Sequence, residues 1–188
     1  EYFANYFLHM SDVTFDMSRN EMTVHHKAVE PWRVTLVDTG AETQTGGRLK
    51  RVNEHLYDTE TFCFTYGDGL ADVDISASIA FHKAHGKLAS VTAVRPPGRY
   101  GALVREGSQV THFREKPPGE TGWINGGFFV LSPKCLEFIE GDSTSLEESP
   151  VARLTGSGEM MAYEHHGFWQ PMDTLRDKNL LDELWLSG

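Results

Sequence analysis

With 188 residues, 39% of them hydrophobic and 11% aromatic, the chain has the size and composition of one domain with its own core. A formal charge of −10 excludes a general nucleic-acid binder, which needs a net basic face, and no stretch reaches the roughly 20 apolar residues of a membrane-spanning helix. Cys63 and Cys135 are too few for a disulfide framework and match no zinc spacing, so a soluble protein of a reducing cytoplasm is expected.

In chain order, Glu1 is not Met and opens directly on Tyr2-Phe3-Ala4-Asn5-Tyr6-Phe7-Leu8, whose helical spacing predicts the end of a helix begun before the first residue. A short strand is predicted over 34–37 and another over 61–66, the latter stopping at Gly67-Asp68-Gly69 and placing Cys63 in the core. Residues 74–85 read as a helix capped by Asp74 and stopped by Gly86, followed by a strand over 88–94. Paired strands over 101–104 and 110–113 flank the turn at Glu106-Gly107, and 123–131 is a long apolar strand opened by Asn125-Gly126-Gly127. Helices are predicted over 133–140, started by Pro133, over 145–154 and over 174–185, with a strand over 160–164 between the last two. The alternation predicts a single α/β domain over 1–188, with a mixed, mostly parallel sheet flanked by helices.

Two carboxylates stand where strands run out: Asp68 in Tyr66-Gly67-Asp68-Gly69, and Asp173 in Gln170-Pro171-Met172-Asp173-Thr174. Ligands of open α/β sheets bind beyond the carboxyl ends of strands, and Mg²⁺ is usually held by one or two carboxylates plus substrate phosphates. The pair therefore points to chemistry on a phosphorylated substrate. The competing reading is that each Asp only caps a turn. Glu115-Lys116-Pro117, Asn125-Gly126-Gly127 and Gly46-Gly47-Arg48 also fall at or beside the ends of strand-like runs, and their convergence favours a site. His82 and His85 have i, i+3 spacing but no third ligand nearby, so they read as solvated helix residues and no zinc is expected. His25, His26, His165 and His166 read as surface residues, and Trp32 and Trp169 as packing or interface anchors. No nucleophile elbow is present, so hydrolase chemistry has no support.

Together with Pro97-Gly98-Arg99-Tyr100-Gly101-Ala102-Leu103, these motifs make the whole chain resemble the sugar-1-phosphate nucleotidylyltransferases. His25-His26-Lys27, Glu30-Pro31-Trp32 and the Gly167 to Arg176 block are similar to the branch that transfers cytidylyl groups to glucose 1-phosphate. The resemblance implies a Rossmann-like nucleotide-diphospho-sugar transferase fold. It also implies Mg²⁺-dependent formation of CDP-glucose and pyrophosphate from CTP and glucose 1-phosphate, and a homo-oligomer. Uridylyl, thymidylyl or adenylyl transfer, and a catalytically inactive sugar-nucleotide-binding or oligomerisation module, remain as alternatives.

The same resemblance implies roles for individual residues. Asp68 and Asp173 would hold Mg²⁺ against the α-phosphate, and Lys116 would meet the incoming sugar phosphate. Glu115, Gly101, Asn125 and Gly126 would receive the sugar, while Thr43, Arg48 and Gly67 would lie at the nucleotide. Members of the family open with a strand and a Gly-Gly-x-Gly-Thr-Arg-Leu loop, followed by Lys-Pro-Lys, that wraps the triphosphate; neither is found in this sequence. By resemblance the domain is N-terminally incomplete, and no turnover is expected from these 188 residues alone.

Overall fold

The computed structural model describes residues 2–27, 29–95, 101–106, 109–115 and 122–188, with 101–106 and 109–115 described by their backbone. The chain divides into two compact units, 1–38 and 39–188.

In the first unit, α1 (Tyr2–His9) is the predicted aromatic helix. Its i, i+4 spacing brings the Tyr2 and Tyr6 rings to 5.6 Å, and Tyr6 stacks on Trp32 with centroids 5.9 Å apart. A hairpin follows, β1 (Ser11–Asp16) and β2 (Glu21–Lys27), the second of which holds His25 and His26. Its turn is closed by the Asp16 carboxylate, which accepts the amides of Ser18 and Arg19 at 3.0 and 3.1 Å, and by Asn20 in the left-handed region at φ 54°. The strand expected over 34–37 does not form; Val34, Leu36 and Val37 are exposed and irregular.

The second unit begins with α2 (Thr45–Arg51), β3 (Phe62–Thr65) and β4 (Gly69–Ala71). Next come α3 (Ile75–His85), β5 (Ala89–Val94), the hairpin β6 (Gly101–Glu106) and β7 (Gln109–Glu115), and β8 (Ile124–Leu131). A 3₁₀ segment (Pro133–Phe138), α4 (Ser149–Gly156), β9 (Met160–Glu164), β10 (Trp169–Pro171) and α5 (Leu175–Ser187) complete it. The main sheet has the order β3-β8-β5-β9. β8 runs against both β3 and β5, and β5 runs with β9, so three of the four strands share one direction and the sheet is mixed, as expected. The 3₁₀ segment stands where a longer helix was predicted, and α4 starts four residues later than the spacing suggested.

Helix α3 shows why local signals succeed. The Asp74 carboxylate accepts the Ala77 amide at 2.8 Å, and Gly86, at φ 66°, supplies the left-handed turn that ends the helix. Helix α2 shows the converse, because Gly46-Gly47-Arg48 is expected beside the end of a strand. The Gln44 and Gly47 amides donate to the Asp142 and Thr144 carbonyls at 2.8 and 3.2 Å, Leu49 is buried, and packing imposes the helix. Leu49 joins Ala89, Phe129, Leu131, Leu136, Ile139 and Leu154 in the core, on the sheet face covered by α2, α4 and the 3₁₀ segment. Cys135 belongs to that core, whereas Cys63, expected inside, alternates outward on β3 and is exposed. Among the described residues no helix is long and apolar enough to cross a membrane.

His82 and His85 are also not where the sequence put them. His82 is only 3% exposed, and Ser90 of β5, itself buried, lies 2.9 Å from His82 Nδ1 and 2.7 Å from His85 Nε2. The Lys87 amide donates to His85 Nδ1 at 2.9 Å, so in the neutral ring Nε2 carries the proton and donates to Ser90 Oγ. The Ser90 hydroxyl then donates to His82 Nδ1. This chain has room for two neutral rings only. Burial, then the neighbouring His85, depresses the His82 pKa; burial, then Lys87, depresses that of His85 against the opposing pull of Glu159. The unfolded chain therefore binds more protons, so this contribution is complete above the ordinary histidine pKa of about 6.5 and is lost as pH falls toward the lower folded values. Urea unfolding between about pH 7.5 and pH 5.5 should show the midpoint falling, and His82→Asn should show a shallower fall.

Candidate functional site

Asp68 and Asp173 meet through one short antiparallel ribbon. β4 pairs with β10 in the register Gly69↔Pro171, Leu70↔Gln170 and Ala71↔Trp169. One step beyond the pairing, the Met172 amide donates to the Asp68 carbonyl at 2.7 Å. Both aspartates line a cavity of about 710 Å³, with Gly67, Asn125, Gly126 and Trp169 on its walls. The Asn125 side chain accepts the Gly127 amide at 2.8 Å, and Gly127 sits at φ 81°, where a Cβ would come within 2.9 Å of the Tyr66 ring. The Asn-Gly-Gly signal thus marks a backbone turned into the cavity wall, held there by the Trp169 indole N–H donating to the Gly126 carbonyl at 2.8 Å.

Two anchors fix the ribbon. The Gln170 side-chain Nε2 donates to the Asp177 carboxylate at 3.0 Å, and Asp177 completes the capping box with Thr174 that starts α5, so Asp173 stands immediately before a fixed helix end. On the other edge, His165 Nε2 is 3.0 Å from both the Asp72 carboxylate and the Phe168 carbonyl, and the Asp72 amide donates to that carbonyl at 3.1 Å.

Among the described residues, no hydrogen bond or ion pair occupies the Asp68 or Asp173 carboxylate. A third cavity carboxylate, Glu147, is engaged by three hydroxyls. Its Oε2 accepts from Thr45 at 2.8 Å and from Ser145 at 2.7 Å, and its Oε1 accepts from the Tyr66 phenol. Burial works to raise the Glu147 pKa, but the three hydroxyl donors outweigh it and the net shift is downward. Burial, followed by Glu147, pushes the Tyr66 phenol up, so it stays protonated and donates. Spacing gave no signal for this network, since Thr45 and Tyr66 lie 102 and 81 residues from Glu147.

The structure therefore gathers Asp68, Asp173, Gly67, Asn125 and Gly126 at one cavity. It does not bring Thr43 or Arg48 to that lining. Thr43 is buried, and the Arg48 guanidinium, rather than following a strand, projects from α2 to donate to Thr39 Oγ1 and the Ala41 carbonyl at 2.8 and 3.0 Å. Gly101 and Glu115 face each other in the β6–β7 register, by backbone alone, and Lys116 lies outside the described residues. Among the described residues no cluster of three or more His, Cys, Asp or Glu forms a metal cage.

Residues 11–172 match the model of the family described as nucleotidyl transferase. The chain belongs to the nucleotidyl transferase family. Across all 188 residues it is 63% identical to glucose-1-phosphate cytidylyltransferase of Salmonella typhi, spanning 73% of that protein. It is 32% identical over 170 residues to mannose-1-phosphate guanyltransferase beta-A of Xenopus laevis, spanning 47% of it. Among solved structures it is similar in fold to HddC from Yersinia pseudotuberculosis, with a TM-score of 0.57 and 22% identity, covering 76% of this chain and 63% of that one. The mixed sheet with flanking helices is thus the nucleotidyltransferase fold.

The ribbon's dependence on its anchors is open to measurement. A Cβ at Gly167 would stand 2.3 Å from Asp72 Oδ1 and 2.8 Å from His165 Cε1, forcing that contact apart. Gly167→Ala should cost up to about 1 kcal/mol in urea unfolding, because the exposed Asp72 carboxylate can swing aside but then leaves His165. Gly141→Ala, where nothing lies within 4 Å of the added carbon, should stay within about 0.5 kcal/mol of the parent.

Proposed function

We propose that the protein transfers a cytidylyl group from CTP to glucose 1-phosphate, giving CDP-glucose and pyrophosphate. The observation that carries this reading is the 63% identity, over every residue of the chain, to the Salmonella typhi glucose-1-phosphate cytidylyltransferase. The family match runs across the boundary between the two units, so residues 1–188 are read as parts of one nucleotidyltransferase domain. Cytoplasmic location and homo-oligomeric assembly belong to the same proposal.

The reaction forms a bond from a phosphate oxygen of glucose 1-phosphate to the α-phosphorus of CTP and breaks the bond from that phosphorus to the bridging oxygen, releasing pyrophosphate. No covalent enzyme intermediate is required, so the protein acts by positioning and by neutralising charge. Asp68 and Asp173, facing one cavity with no protein partner among the described residues, fit a divalent cation, read as Mg²⁺, held jointly with substrate phosphates. Such an ion supplies electrostatic relief where charge builds on the α-phosphate. The Asn125–Gly126–Gly127 wall offers backbone groups to a ligand without intervening side chains. Lys116 is assigned to the sugar phosphate and Glu115 and Gly101 to sugar hydroxyls, with Gly67 on the nucleotide side.

Pyrophosphate release with glucose 1-phosphate and Mg²⁺, compared across CTP, UTP, dTTP and ATP, tests the reading. CTP should be preferred, and Asp68→Asn and Asp173→Asn should each lower turnover by at least about 100-fold with an unchanged unfolding midpoint. Preference for another nucleotide would move the assignment within the family. Binding of sugar nucleotide without pyrophosphate release, by the full-length protein, would replace it with a binding module.

A further inference from the structure

We propose that Glu147 is a positioning residue of the cavity: one carboxylate, gripped by hydroxyls from three separate segments, sets where the Tyr66–Gly67–Asp68 turn stands relative to the start of α2. The proposal rests on the reading of Asp68 as a metal ligand. Thr45 is the first residue of α2, Ser145 belongs to the loop before α4, and Tyr66 leads from β3 into the turn that carries Asp68. All three hydroxyls converge on Glu147. The Thr45 hydroxyl also accepts the Leu146 amide at 2.9 Å, which leaves its own proton for the carboxylate. The Tyr66 ring meets Phe64 and Phe129 edge-on, at 5.6 and 6.0 Å between centroids, and the Tyr66 amide donates to the Gly127 carbonyl at 3.3 Å. Held at ring, backbone and phenol, Tyr66 has little freedom, and Asp68 follows two residues later.

Charge separates this role from that of the two aspartates. A cavity that receives two polyanions gains nothing from a third bare carboxylate, whose repulsion would oppose binding. Three hydroxyl donors spread the Glu147 charge and use most of its acceptor capacity, whereas Asp68 and Asp173 keep theirs for a ligand. Glu147→Gln tests the distinction. A carboxamide oxygen can still accept from Thr45 and Ser145, and its N–H can donate to the phenol oxygen, so the grip survives while the charge is lost.

The experiment is Mn²⁺ titration of the full-length protein with CTP, read by electron paramagnetic resonance, alongside kcat and thermal unfolding. Tyr66→Phe and Glu147→Ala should weaken Mn²⁺ binding about three- to tenfold and lower kcat about tenfold, with Glu147→Gln within about twofold of the parent on both. Tyr66→Phe removes a single oxygen from a packed ring, so it decides the matter if Glu147→Ala fails to fold. Parent-like Mn²⁺ binding in Tyr66→Phe would overturn the proposal. So would a Glu147→Gln as damaged as Glu147→Ala, which would mean that the charge itself meets the ligand. Asp68→Asn is the separate control: parent-like Mn²⁺ binding there overturns the metal reading, and this proposal with it.

Discussion

The antiparallel contact between Gly69–Ala71 and Trp169–Pro171 is the constraint on which the rest of the site depends. Three residue pairs are too few for an isolated ribbon to persist in water, so its geometry is borrowed from what surrounds it. Asp177 and Thr174 hold one end through the helix cap, His165 and Asp72 hold an edge, and the Trp169 indole ties the ribbon to the Gly126 carbonyl of β8. Because β8 runs through the middle of the main sheet, the ribbon inherits the rigidity of the core. Side chains that must present two carboxylates to one ion are best placed on elements of this kind.

Around that ribbon the cavity sorts its carboxylates by the company they keep. Glu147 is surrounded by hydroxyls, which lower its pKa in spite of partial desolvation and leave it a fixed part of the wall. Asp68 and Asp173 reach the same space with no such donors among the described residues. Three identical functional groups can therefore serve two purposes. The difference comes from neighbours rather than from residue type, as the behaviour of carboxyl groups in contrasting environments generally does.

The opposite face of the sheet carries a second polar arrangement, with a different consequence. Ser90 lies on β5, which pairs with both β8 and β9, and its hydroxyl joins two imidazoles of α3. The run of hydrogen bonds through Ser90 holds only while both rings are neutral, so the seam between helix and sheet depends on pH in a way the apolar core does not. The cavity and this seam are joined through β5 and β8, the strands that contribute most to the core.

Features that act within a few residues were legible in the sequence. Asp74 and Gly86 delimit α3, Thr174 opens α5, the apolar run of β8 reads as a covered strand, and Gly67-Asp68-Gly69 marks a strand end at a cavity. Capping, periodicity and turn chemistry need only near neighbours, so composition and spacing determined them. Where an outcome turned on distant partners, the sequence misled or was silent. Val34 to Val37 has a strand's composition but pairs with no strand among the described residues, Gly46-Gly47 is expected beside a strand end but is packed into a helix, and Cys63 and His82 exchanged the exposures expected of them. The family resemblance, the strand-helix alternation and the two aspartates as candidates all follow from local pattern. Tertiary structure alone decided that those aspartates meet, that Thr43 and Arg48 stand off the cavity, and that Glu147 belongs to it, because each depends on pairing or hydrogen bonding between segments that no local pattern links.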